Sequence, residues 1–132
     1  MKKIVILLFV IVLLTGCGKN STTENKEKSK YKQITSEEVY SRLDESENRE
    51  VYIIDVRTSE EYSNGHIPAA LNIPLSSITS IENVIPDRSV EIIVYCQSGN
   101  RSKKAADSLL ELGYQEVYDL GGINNWNYEI TQ

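Results

Sequence analysis

Apolar and polar residues alternate in blocks along this chain. "VYIIDV", residues 51–56, and "VEIIVYC", residues 90–96, are apolar runs of strand length. Runs like these belong to strands buried on both faces of a parallel sheet. Elsewhere the period is helical. "TSEEVYSRLDES", 35–46, puts Val39, Tyr40 and Leu43 on one helix face, and Thr35 with Glu38 fits a capping box. Thr58 and Glu61 repeat that pattern for a short helix ending at the Asn64-Gly65 turn. "AALNIP", 69–74, reads as a short strand, and "LSSITSIENV", 75–84, as another helix. "RSKKAADSLLELG", 101–113, spaces Ala105, Ala106, Leu109, Leu110 and Leu112 for one face and ends on Gly113, a good terminator. "YKQI", 31–34, and "YQEVYDL", 114–120, supply two more strands, and "GGINNWNYEI", 121–130, predicts a loop and a last helix.

Strands alternating with helices predict an α/β domain: a central, mostly parallel five-stranded sheet with helices on both faces. Such sheets bind ligands beyond the carboxyl ends of their strands. Cys96 ends the strongest strand of this sequence, so its thiol falls where the architecture places its sites.

The first residues follow another pattern. "MKKIVILLFVIVLLTGC" has two lysines, an apolar run from Ile4 to Leu14, then small residues. At ~1.5 Å per residue that run is too short to cross a hydrocarbon core of ~30 Å comfortably. It reads as an export signal, residues 1–16. "LTGC", 14–17, resembles the bacterial lipoprotein box, in which the cysteine takes a lipid and becomes the new N-terminus. The resemblance implies lipidation at Cys17 and a location on the outer face of a bacterial cell membrane. Residues 17–32 are polar, rich in lysine and free of aliphatic side chains, as expected of a disordered linker. The folded domain is expected over residues 33–132.

Charge narrows the choice of partners. From Gln33 onward, seven Lys and Arg face seventeen Asp and Glu, a net charge of −10. A domain that acidic argues against nucleic acid as a partner. The chain has two cysteines, Cys17 and Cys96. With Cys17 lipidated, Cys96 has no partner in the chain, and an unpaired thiol in an exported protein points to reactivity.

The loop after Cys96 fits that reading. A free thiol has a pKa of about 8.5 and reacts only as thiolate. "CQSGNRS", 96–102, offers three ways to favour the thiolate. A tight turn through Gln97, Ser98, Gly99, Asn100 and Arg101 aims backbone N–H groups at one point, with Gly99 permitting the turn. The following helix presents its positive end. Arg101 brings a permanent cation.

These residues resemble the active-site loop of the rhodanese superfamily. "IDVRTSEEYSNGHIPAALNIP", 54–74, is similar to that family's first signature, and "DLGGINNW", 119–126, to its Gly-Gly-x-x-x-Trp element. One departure is Ala69, where the family usually has glycine; it reads as a mild backbone change. Four residues separate Cys96 from Arg101. That spacing resembles the sulfurtransferases of the superfamily, whereas the related phosphatases carry one residue more.

The resemblance implies a sulfurtransferase that takes sulfane sulfur from a donor such as thiosulfate onto Cys96 as a persulfide and passes it to a thiophilic acceptor. Cys96 and Arg101 would be catalytic, and the amides of Gln97 to Arg101 would form the cradle. Asp55, Arg57, Glu61 and His66 would be structural near the site, with Arg57 paired to Glu61. Trp126 would be a packed anchor. No metal or organic cofactor is implied. Partners would be a small sulfur-containing anion, or a protein persulfide or thiol. The alternative is a module that holds a persulfide or an oxyanion for a partner without turnover.

Overall fold

Five strands form one sheet in the order β1-β5-β4-β2-β3, all neighbours parallel. They are β1 (Lys32–Gln33), β2 (Val51–Asp55), β3 (Leu71–Asn72), β4 (Glu91–Cys96) and β5 (Glu116–Gly122). The computed structural model describes residues 30–44 and 50–132. The export signal, Cys17 and most of the lysine-rich linker lie outside the described residues.

The central strand shows why the sheet is covered on both sides. All six residues of β4 are buried. Ile92, Val94 and Cys96 point to one face and pack with Ala105, Ala106 and Leu109 of α4 (Asn100–Glu111) and with Ile78, Ile81 and Ile85. Ile93 and Tyr95 point to the other face, where Val39 of α1 (Ser36–Asp44), Ile67, Leu120 and Trp126 cover them. Strand residues alternate faces, so one continuous apolar run feeds two cores. Cys96 thereby faces the start of α4.

Both predicted capping boxes form. Glu38 N–H donates to Thr35 Oγ1 at 3.2 Å, and Thr35 N–H donates to the Glu38 carboxylate at 2.9 Å. Thr58 and Glu61 do the same at the start of α2 (Ser59–Ser63). Gly113 follows α4 with φ +93°, the left-handed stop that glycine favours.

Three expectations differ in detail. Tyr40 is about half exposed rather than in the core, and stacks on Tyr128 with ring centroids 4.1 Å apart. Its neighbour Val39 alone turns fully inward. The helix expected over 75–84 is a 3-10 segment, Leu75–Ser80, broken at Ser77, followed by the single turn α3 (Ile81–Val84). The last helix shrinks to a 3-10 turn, Ile123–Asn125. Beyond it, Trp126 Nε1–H donates to the Glu129 carbonyl, and Thr131 pairs with His66 in both directions at 2.9 Å. Backbone pairing with a distant turn takes the place of a helix ladder there.

Candidate active site

The chain reverses between β4 and α4 on three residues. Gly99 makes the reversal possible: its φ is +98°, a conformation that a side chain would strain. Its N–H then points back at Cys96 and donates to Sγ at 3.0 Å. Cys96 itself is 1% exposed. Burial pushes its pKa up, because a thiolate loses its hydration. Hydrogen bonds from the Ser102 and Gly99 amides, the Ser102 hydroxyl and the Ser98 amide outweigh burial, and the net shift is downward. The Ser102 hydroxyl also lies 3.0 Å from the Gly99 carbonyl, so it ties the turn to the first turn of the helix.

The loop rests on glycines of β5. A bulge between Val94 and Tyr95 shifts the β4–β5 register and brings Gly121 opposite Tyr95 and Gly122 opposite Cys96. A Cβ on Gly122 would stand 2.5 Å from the Gln97 carbonyl and 3.0 Å from Ser98 Cα. The cradle therefore occupies the space a side chain would need. Gly121 N–H donates to the Asp119 carboxylate at 2.9 Å, which fixes the bulge.

A buried network holds the loop from the other side. Arg57 caps the end of β2 and folds back on Asp55: Nε donates to both carboxylate oxygens at 3.1 Å, and Nη2 to Oδ2 at 2.6 Å. Nη2 also donates to the Gly65 carbonyl at 2.7 Å. The Tyr95 hydroxyl donates to Asp55 at 2.7 Å and accepts from the Ile67 N–H at 3.1 Å. Burial, then the bond to Asp55, drives the Tyr95 hydroxyl strongly upward, so it stays a donor. Arg57 Nη1 reaches the Gln97 side-chain oxygen at 3.5 Å, and Gln97 Nε2 donates to Asn124 at 3.1 Å.

The expected pairing of Arg57 with Glu61 does not occur. Glu61 faces Arg101 instead, fork to fork, at 2.7 Å and 2.8 Å. Arg57 lies before the helix cap and turns inward toward Asp55, whereas Glu61 sits in the first turn of α2 and looks outward to α4. Arg101 holds the Glu61 carboxyl down to about 2, burial opposes, and the Thr58 amide and hydroxyl add to the lowering.

The remaining expected residues lie on the flank. His66 stacks on Tyr62 with ring centroids 3.7 Å apart, and its Nδ1 lies 2.9 Å from the Tyr62 carbonyl. Trp126 is buried in the second core. Asn100 is exposed at the start of α4. Ser102, Gly121, Gly122 and Asn124 also belong to the site, although sequence reasoning gave them no role. A hydroxyl in the first turn after the cysteine was a usable signal for Ser102, since that turn points its N–H groups at the loop. Among the described residues, no group of three His, Cys, Asp or Glu is placed to hold a metal ion.

Comparison with known proteins agrees with this geometry. The chain matches the rhodanese-like domain family over residues 35–129. It is 38% identical over 73 residues to the thiosulfate sulfurtransferase PspE of Escherichia coli, covering 54% of this chain and 70% of that protein. It is 35% identical over 86 residues to the adenylyltransferase and sulfurtransferase uba4 of Ogataea parapolymorpha, covering 64% of this chain but spanning only 22% of that protein. A rhodanese-like domain protein from Staphylococcus aureus superposes with a TM-score of 0.64 at 35% identity, over 74% of this chain and 93% of that one.

Proposed function

The chain belongs to the rhodanese-like domain family, and from that premise we propose that it transfers sulfane sulfur through a persulfide on Cys96. One observation carries the reading: N–H groups and a hydroxyl converge on a buried sulfur and favour its thiolate. A neighbouring helix terminus and turn amides are the same devices that stabilise an added anionic sulfur.

The proposed reaction has two steps. The Cys96 thiolate attacks the outer sulfur of the donor, forming an S–S bond. With thiosulfate, the sulfur–sulfur bond of the donor breaks and sulfite departs with the electron pair. Cys96 is left as a persulfide anion, whose terminal sulfur lies among the amides of the loop. An acceptor nucleophile, cyanide or a thiolate, then attacks that terminal sulfur and releases the Cys96 thiolate. No net oxidation occurs, and no cofactor takes part in either step. Gly99, Ser98 and Ser102 stabilise the sulfur anion in both resting and loaded forms. Arg101 stands beside the loop mouth, and Asp55 and Arg57 hold the wall against which Gln97 rests.

The test is intact mass of the full chain after exposure to a sulfane donor. A gain of one sulfur is expected, reversed by reductant and lost in Cys96→Ser. Loading that persists unchanged in Cys96→Ser would refute the reading. Loading without subsequent discharge to cyanide or thiols would instead favour a carrier that hands sulfur to a specific partner.

A further inference from the structure

Gln97, the first residue after the cysteine, is fastened at both ends of its side-chain amide. Its oxygen accepts from Arg57 Nη1 at 3.5 Å, and its Nε2 donates to Asn124 Oδ1 at 3.1 Å. Its backbone carbonyl lies against Gly122, 2.5 Å from where a Cβ would stand.

The two fastenings lead to one segment. Asn124 belongs to the 3-10 turn Ile123–Asn125, directly after the Gly121–Gly122 floor. From that turn the chain runs through buried Trp126 to Thr131, which exchanges both backbone bonds with His66 at 2.9 Å. Next to His66, the Gly65 carbonyl accepts from Arg57 Nη2 at 2.7 Å. Ile130 covers Gly65 so closely that a Cβ there would stand 2.9 Å from its Cδ1. The contacts close a ring that starts and ends on Gln97, so neither fastening moves without the other.

The resting thiolate makes no use of this ring. Ser102, Gly99 and Ser98 supply its hydrogen bonds, and Gln97 is not among them. A bracket on a loop residue that the resting sulfur ignores has a purpose only when the loop holds something more. A second sulfur on Cys96 is that addition.

We infer that Asn124 is a positioning residue for sulfur transfer, fixing Gln97 in the loop shape that the persulfide-bearing cysteine requires. The inference rests on the sulfurtransferase reading. In the step it serves, the Cys96 thiolate bonds to the outer sulfur of the donor, the donor's own S–S bond breaks, and the leaving group departs with the electron pair. Asn124 acts on that step only through the Gln97 side chain.

The experiment follows the rate of Cys96 loading on the full chain by intact mass, with thiosulfate and with cysteine persulfide as donors. Asn124→Ala should lower the saturating rate about fivefold and leave the half-saturating donor concentration unchanged. The pH midpoint of Cys96 alkylation should stay at the wild-type value, which a general loosening of the loop would move. Asn124→Asp keeps an acceptor oxygen for Gln97 Nε2 and should restore loading to within about twofold of wild type. In Gln97→Ala, adding Asn124→Ala should cost nothing further. A wild-type rate in Asn124→Ala, a shifted alkylation midpoint, no rescue by Asn124→Asp, or losses that multiply in the double variant each overturn the inference. Wild-type protein that takes up sulfur from neither donor overturns the sulfurtransferase reading itself, and the inference with it.

Discussion

Ala69 sits at φ +66°, in the left-handed region, and is the only non-glycine so placed among the described residues. The position looked like a mild departure in sequence, but its backbone is one that an L side chain strains by roughly 1–2 kcal/mol. Glycine would relieve that strain and lose roughly 0.5–1 kcal/mol to unfolded-chain entropy. Ala69→Gly should therefore stabilise the domain by up to about 1 kcal/mol and raise Tm by about 2–6 °C in a thermal melt. A lower Tm would contradict the strain argument. Ser102 offers a second residue-level test. Its hydroxyl supports the Cys96 thiolate, and one such bond is worth about 1 kcal/mol, or about 0.7 of a pKa unit. In Ser102→Ala the pH midpoint of Cys96 alkylation should rise by about that much. In the wild type, reactivity should persist below the ordinary thiol range.

The two capping boxes were legible because the capping residue and its partner lie three positions apart. The long strands were legible because an apolar run of five or six residues has few other uses. The destination of Glu61 was not. Local spacing suggested Arg57, four residues before it, but Arg101 comes from 40 positions away, and no periodicity reports where two helices meet. The glycines behind the cradle were visible as a motif, while their reason, a bulge that changes the β4–β5 register, appears only when the strands pair. At this scale the Glu61–Arg101 pair joins α2 to α4, and its effect depends on pH. The Glu61 pKa is depressed in the fold to about 2, so its contribution is complete above the ordinary carboxylate range and fades as pH falls toward that value. The urea midpoints of wild type and Glu61→Gln should differ by a constant amount between pH 7 and 5. That difference should shrink between pH 4.5 and 2. A gap that widens on acidification would remove the pair from the account.

Across the whole molecule, the Asp55–Arg57 pair is where separate parts converge: β2, the Gly65 turn, Tyr95 of β4 and Gln97 of the loop. Asp55 and Arg57 are 0% and 4% exposed, so removing one partner strands a buried charge. Asp55→Ala should cost about 3–5 kcal/mol in chemical denaturation, and adding Arg57→Met should restore part of the loss. A double variant weaker than the single would show that the network, not the stranded charge, carries the stability. The strand order has a consequence in time. β1 pairs only with β5, through Lys32↔Tyr118 and Gln33↔Asp119, and β5 also supplies the floor of the cysteine loop. Until β5 docks, β4 keeps an open edge and β1 has no strand to pair with. The thiol loop therefore acquires its backing only in a late folding step, the one that brings β5 onto β4.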